Sequence, residues 1–470
     1  MVRHLEGEIL KHIGEWESGE SMTAIDETYR AKRMTADQAV ALVPSGARLA
    51  MPMIAAEPPA LLAALAARAR AGEVRDLHLY YMLSAGIAGQ SVLAPDLATA
   101  ITPVSIFHGG VERALDAARA QAGAPAVDFL PCNFHQVPRL LCEHVGVDTL
   151  LVMAAPMDAD GNFSLGVSTD YVHAVAHRAT RVLLEVNPNM PRVRGQCQVP
   201  LSRVTAVVEH ASPLAELPQA PRTPADQAIG RIIAGLTADG ACLQMGIGAL
   251  PDAVCAELVH HRHLGIHTEM MPNGLAALIQ SGAVDNSRKQ THAGVSIFTF
   301  ALGDRELYAF LDDNPGVEAY PVSYVNDPCV IARNDNVLSV NATMQVDLSG
   351  ACNSEFMGGR QYSGIGGQVD FVRGAYASRG GKSIIACHST AAGGTVSRIC
   401  LDLSGPVTTA RTDIHMVATE FGCVQLKGLS LDARARALIG IAHPDFREDL
   451  ERGARERRIL TRTHFPAGAG

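Results

Sequence analysis

A chain of 470 residues is long for one hydrophobic core, so two domains are the natural expectation. With 47% hydrophobic and 19% charged residues and 43 glycines, it reads as a folded α/β enzyme rich in glycine turns, with nothing that suggests disorder. A net charge of −9 argues against non-specific nucleic-acid affinity while leaving room for a local basic groove, and no run of eighteen apolar residues marks a membrane span.

Residues 1–34 read as a polar helical arm carrying the only tryptophan, Trp16. Met1 to Lys32 is mixed in charge and lacks the apolar segment of a secretory leader, so a cytoplasmic protein is expected. A first domain over 35–210 opens at Thr35, an N-cap for a short helix. Strand candidates follow at Arg48–Met51, Leu77–Met82, Val127–Leu130, Thr149–Ala154 and Arg181–Val186. Helical patterns lie between them, among them the amphipathic Ala60–Ala71, and this alternation predicts a mostly parallel sheet covered on both faces. Pro156–Asn162 is a turn: it lacks the alternating ligands and closing Glu of a calcium loop.

Residues 211–224 hold four prolines and no helical period, so they predict an extended linker and a domain boundary. The second domain, 225–470, repeats the strand and helix rhythm, with no residue-level repeat of the first. A cleft between two such domains suits a large ligand. The ten cysteines are scattered without a Cys-x-x-Cys pair, and the eighteen histidines show no His-Glu-x-x-His or Cys/His grouping. Reduced thiols and no metal are expected.

After a helix at Asp226–Leu236, Ala241–Ala253 reads as a strand, a glycine turn and a helix with Pro251 in its first turn. Leu264–Gly274 is a short apolar run ending on Glu269, broken by Pro272, Asn273 and Gly274 before a helical pattern at Leu275–Ile279. That leaves Glu269 near the carboxyl end of a strand, the edge where open α/β sheets bind ligands. The glycines at 246 and 248, with an acid about twenty residues on, have the spacing of a dinucleotide fingerprint. Pro251 stands where its third glycine belongs, which argues against a nicotinamide site. The alternative is that Glu269 is itself a covalent nucleophile.

Further on, Val337–Leu348 alternates with apolar residues at every even position and predicts one strand with a wet or partly polar face. Gly364, Gly366 and Gly367 let the backbone approach a ligand and aim N–H groups at an anion or carbonyl oxygen, unless they form a plain turn. Gly380–Ser383 only imitates a phosphate loop, because Tyr376 replaces the first glycine and Ile384–Ala386 reads as a strand. Ser389–Gly394 is a small-residue loop, Asp413–Thr419 a strand, Leu431–Arg452 a helix broken at His443-Pro444, and Pro466–Gly470 a frayed tail.

Several of these stretches, taken together, resemble one family. Gly246-Ile247-Gly248-Ala249, His267-Thr268-Glu269-Met270, Val325-Asn326-Asp327-Pro328, Ala332–Asn336, Ser363–Phe371, Val372–Ala375 and Ile441–Arg447 are similar, in the same order, to motifs of family I CoA-transferases. Pro156–Ser168 matches in the first domain. The branch resembled is that of 4-hydroxybutyrate CoA-transferase and acetyl-CoA hydrolase/transferase.

The resemblance implies two similar open-sheet α/β domains with the active site in the cleft between them. It implies a homodimer or dimer of dimers and no tightly bound cofactor, coenzyme A thioester being the substrate. It implies transfer of CoA from acetyl-CoA or succinyl-CoA to a short-chain carboxylate such as 4-hydroxybutyrate or itaconate, or hydrolysis if water replaces that carboxylate. It places a glutamyl-CoA thioester at Glu269. By the same mapping, the Gly367 amide and the glycine turn around Ile247 form the oxyanion hole at the glutamyl carbonyl, Asn326 donates to the substrate thioester oxygen, and Gly246, Ile247, Gly248, Gly364, Gly366 and Gly367 bind the coenzyme A thioester. Met271-Pro272-Asn273 and His388 depart from the pattern and are expected to face the acyl group, whereas His267 is expected to be a packed or solvated histidine and not one that tunes the carboxylate.

Overall fold

The computed structural model describes residues 23–461 except 122, 124 and 125. Trp16 with most of the predicted arm, and the Pro466–Gly470 tail, lie outside the described residues. The described end of the arm is a helix, α1 (Ala24–Lys32), started by a reciprocal bond between Thr23 and Asp26. It docks on the first sheet: Lys32 Nζ donates to the carbonyls of Leu201 and Val204 at 2.8 and 2.6 Å, and Tyr29 hydroxyl to Glu209 at 2.9 Å.

Seven parallel strands form the first sheet: β1 (Arg48–Ala50), β2 (Leu77–Met82), β3 (Ile101–Phe107), β4 (Asp128–Phe129), β5 (Thr149–Ala154), β6 (Arg181–Val186) and β7 (Ala206–Glu209). Their spatial order is β7-β6-β5-β1-β2-β3-β4. The helix α2 (Pro59–Arg70) starts with a proline, whose missing N–H costs nothing there, and buries Leu61, Leu62, Leu65 and Ala69 against this sheet. Sequence patterning passes over β3 because Pro103 interrupts it. The proline is tolerated because β4 pairs with only Val104 and Ser105, leaving the rest of that edge open.

After His210 the chain runs without regular structure to Thr223, and Pro224 already belongs to a helix: the Thr223 hydroxyl and Asp226 cap α3 (Pro224–Leu236). The second sheet comprises β8 (Cys242–Met245), β9 (Gly265–Ile266), β10 (Val337–Ala342), β11 (Lys382–Ala386), β12 (Met416–Thr419) and β13 (Gly422–Gln425). The order is β9-β8-β10-β11-β12-β13, parallel except for β13. Helix α4 (Ala249–Glu257) follows β8, α5 (Asn273–Gln280) follows Pro272, α6 (Gln368–Ala377) follows the glycine loop, and α7 (Leu431–Ile441) and α8 (Pro444–Glu456) close the chain. The structure is thus α/β with two open, mostly parallel sheets.

Sequence expectations need correction at two places. Val337–Leu348 is not one strand: β10 ends at Ala342, and Gln345–Asp347 joins a separate small sheet with Cys352–Asn353 and Ile399–Cys400. One face of β10 is partly polar, as the alternation allowed, though mostly shut from water. The strand lies between β8 and β11, and Ser339 is fully buried, donating to Gln244 Oε1 at 2.7 Å while Asn341 bonds both. The strand expected from Asp413 begins only at Met416. One large core joins the two halves, with Phe134 and Phe163 from the first and Met270 and Phe300 from the second.

Candidate active site

Glu269 stands just past the carboxyl end of β9. His267 still pairs with Ile297, but Thr268 and Glu269 leave the strand before Met270–Met271 pairs with Phe300–Ala301. The main chain is held there by the neighbouring segment: the N–H groups of Thr299 and Phe300 donate to the Glu269 carbonyl at 3.0 and 3.2 Å. Thr268 hydroxyl donates to the Met270 carbonyl at 3.0 Å, which fixes the bend.

Two groups distant in sequence converge on the carboxylate. Asn326, fully buried at the end of a short helix, donates from Nδ2 to Glu269 Oε2 at 2.6 Å. Gly367 lies directly against the same carboxylate, and its main-chain N–H favours the ionised form. Any side chain at 367 would displace the site, since a Cβ there would stand 1.7 Å from Glu269 Oε2 and 2.3 Å from Asn326 Nδ2. The neighbouring turn is pressed onto the first sheet: a Cβ at Gly364 would meet the Ile106 carbonyl at 2.7 Å. Arg113 clamps the loop there, donating to the Tyr362 carbonyl at 2.7 Å with its guanidinium 4.2 Å from that ring's centre.

The electrostatics oppose ionisation of Glu269. Desolvation pushes its pKa up to about 8, and the charges of Asp370 and Asp170 add to the rise, while the bonds from Asn326 and Gly367 pull it down. The residue keeps some accessible surface, so a substrate can reach it. His267 does not touch it. That ring is fully buried, its Nε2 donates to the Val325 carbonyl at 2.7 Å, and burial lowers its pKa to about 3, so it is a neutral packed histidine holding the residue before Asn326.

The turn Gly246-Ile247-Gly248 lies between β8 and α4, as expected. Ile247, 44% exposed, and Gly248 line a mostly apolar cavity of about 170 Å³ with Leu217, Pro218, Met270 and Pro272. Asn273 also lines it. Met271 and His388 do not: Met271 is fully buried in the core, and His388 Nε2 lies 2.7 Å from Asp226 Oδ1 at the start of α3. Sequence reasoning assigned no role to Asp170, Asp370 or His135. Asp370 falls in the glycine stretch and only its place in the first turn of a helix marked it, while Asp170 and His135 carry no local signal. Among the described residues no cluster of His, Cys, Asp and Glu could hold a metal ion, and no helix is long and apolar enough to cross a membrane.

A carboxylate ringed by amide donors at the edge of an open sheet suits acyl-group chemistry, and comparison with known proteins places the chain in such a class. Residues 20–218 match the acetyl-CoA hydrolase/transferase N-terminal domain and residues 303–454 its C-terminal domain. The chain belongs to the acetyl-CoA hydrolase/transferase family. It is 44% identical to the succinyl-CoA:cyclohexane-1-carboxylate CoA transferase of Geobacter metallireducens, over 92% of this chain and 96% of that one. It is 42% identical to the 4-hydroxybutyrate coenzyme A transferase of Clostridium kluyveri, over 90% and 97%. The crystal structure of RipA from Yersinia pestis superposes with a TM-score of 0.91 at 51% identity, covering 93% of this chain and all of that one. Relatives named as acetyl-CoA hydrolases are more distant.

Proposed function

We propose that this chain is a CoA-transferase that moves CoA from an acyl-CoA donor, acetyl-CoA or succinyl-CoA, to a short-chain carboxylate such as 4-hydroxybutyrate or itaconate, with Glu269 as nucleophile. The observation that carries the reading is the convergence of Asn326 and Gly367 on the Glu269 carboxylate. Ionised Glu269 attacks the donor thioester, giving an acyl-glutamyl anhydride and CoA thiolate. The thiolate attacks the glutamyl carbonyl, forming the glutamyl-CoA thioester and releasing the donor carboxylate. The acceptor carboxylate reverses the sequence, so the kinetics are ping-pong.

A carboxylate is a weak nucleophile, so donors aimed at developing charge supply much of the acceleration. The Asn326 amide already meets one glutamyl oxygen and Gly367 lies against the same carboxylate, so both stand where an oxyanion would form. Binding energy from the remote nucleotide of CoA is available at the transition state. The mostly apolar cavity at Ile247 and Met270, the residue after Glu269, suits a hydrocarbon body.

The test is intact mass after incubation with acetyl-, butyryl- and succinyl-CoA without acceptor, beside Glu269→Ala. A CoA-sized adduct on the wild type alone, removed by a carboxylate, is expected, and the best remover names the acceptor. Loss of the adduct in water alone within a turnover would make the enzyme a hydrolase, and no adduct from any donor would sink the role of Glu269.

A further inference from the structure

His135 and Asp370 reach each other from opposite halves of the chain, beside Glu269. His135 lies in the short turn Phe134–Gln136 of the first half, and Asp370 in the first turn of α6, three residues past Gly367. The ring Nδ1 is 2.7 Å from Asp370 Oδ1, and the His135 main-chain N–H donates to Oδ2 at 3.1 Å. One residue earlier, Phe134 N–H donates to the Gly366 carbonyl at 3.1 Å. Successive N–H groups of one turn thus grip both the residue before Gly367 and the helix after it. Asp370 is 1% exposed and makes no other described side-chain bond, so both of its oxygens are committed to His135.

We propose that His135 is a positioning residue for Glu269: by gripping Asp370 it holds the Gly366–Gly367 turn on the carboxylate and offsets the Asp370 charge beside it. The role rests on the reading of Glu269 as nucleophile. Gly367 has no side chain to anchor it, so the place of its N–H depends on what holds the turn on either side. The Asp370 bond in turn raises the His135 pKa, favouring the imidazolium that balances the buried carboxylate. The other charges facing the pair are Asp327 and Arg373, and Asp170 faces Glu269 from the first half. Cys132, near Asp370, has its thiol pushed up to about 11 and stays neutral.

The experiment measures the rate of CoA-adduct formation against pH, by rapid quench and intact mass, for the wild type, His135→Ala, His135→Asn and Asp370→Asn. His135→Ala is expected to slow the step by about tenfold or more at saturating acyl-CoA, with half-saturation changed less than about threefold. Its inflection moves to higher pH, because an uncompensated Asp370 anion disfavours ionised Glu269. Asp370→Asn removes the anion together with the imidazolium it sustains, and so moves the inflection less than His135→Ala does. His135→Asn presents a neutral donor where Nδ1 stood and recovers most of the rate. Should His135→Ala melt before assay, His135→Asn decides the matter, since it leaves the Asp370 anion uncompensated and its inflection must also move to higher pH. A wild-type rate in His135→Ala, or an unmoved inflection in the His135 variants, overturns the role. A wild type that forms no adduct overturns the nucleophile reading itself and the role with it.

Discussion

Asn326 Nδ2 rests 2.6 Å from Glu269 Oε2, so two residues separated by 57 positions share one hydrogen bond at the join of a strand end and a short helix. The bond is made before any substrate arrives, whereas the resemblance to CoA-transferases places this amide on the substrate thioester oxygen. Asn326→Ala removes a donor from the glutamyl oxygen and is expected to lower kcat by about 10²–10³. It also raises the pKa of Glu269, since that bond is the largest of the effects holding it down. The pH profile of kcat/KM checks this second effect: its acidic limb should move to higher pH.

Gly367 permits contact that no side chain could share. A methyl group at this position would fall 1.7 Å from Glu269 Oε2, so Gly367→Ala must displace either the carboxylate or the loop. Activity is expected to fall by about a hundredfold or more, because small misplacements of reacting groups are costly. Circular dichroism and melting separate this local effect from misfolding.

Because desolvation raises the Glu269 pKa to about 8, adduct formation should increase with pH through an inflection near that value, well above the ordinary range for glutamate. The folded protein binds this proton where the unfolded chain, with a value near 4.5, does not. Stability therefore falls as pH rises between those values. Glu269→Gln, neutral throughout, should melt higher than the wild type, with a gap that opens above pH about 5 and levels off near 8. Melting curves across that range measure it.

His388 binds Asp226 instead of facing an acyl group. His388→Ala is expected to lower the melting temperature through the loss of about 1 kcal/mol at the start of α3, and to leave acceptor preference unchanged. A changed preference among carboxylates in steady-state assays would return His388 to the substrate pocket.

Much of the scaffold was legible because the hydrophobic period and the caps agree locally. Thr149–Ala154 and Arg181–Val186 are apolar runs buried inside a sheet, and Thr35 caps a short helix by its own chemistry, whereas the helix read from Asp226 already begins at Pro224. Ile101–Phe107 was not legible, because the open edge that excuses Pro103 is a property of the whole sheet. Glu269 could be found through the motif around it. Its environment could not, since Asp170, His135 and Asp370 come together only when the loop at Gly364 packs on the first sheet. The fate of Val337–Leu348 shows the same limit: alternation cannot tell a wet face from one where Gln244 satisfies Ser339 and Asn341.

Turnover with an acceptor carboxylate carrying heavy oxygen, in ordinary water, followed by mass analysis of the peptide that contains Glu269, follows the nucleophile directly. If Glu269 passes through an anhydride with the acceptor, one heavy oxygen stays on its side chain after the new acyl-CoA leaves. A peptide that never gains the label, while acyl-CoA product accumulates, would contradict covalent transfer through Glu269.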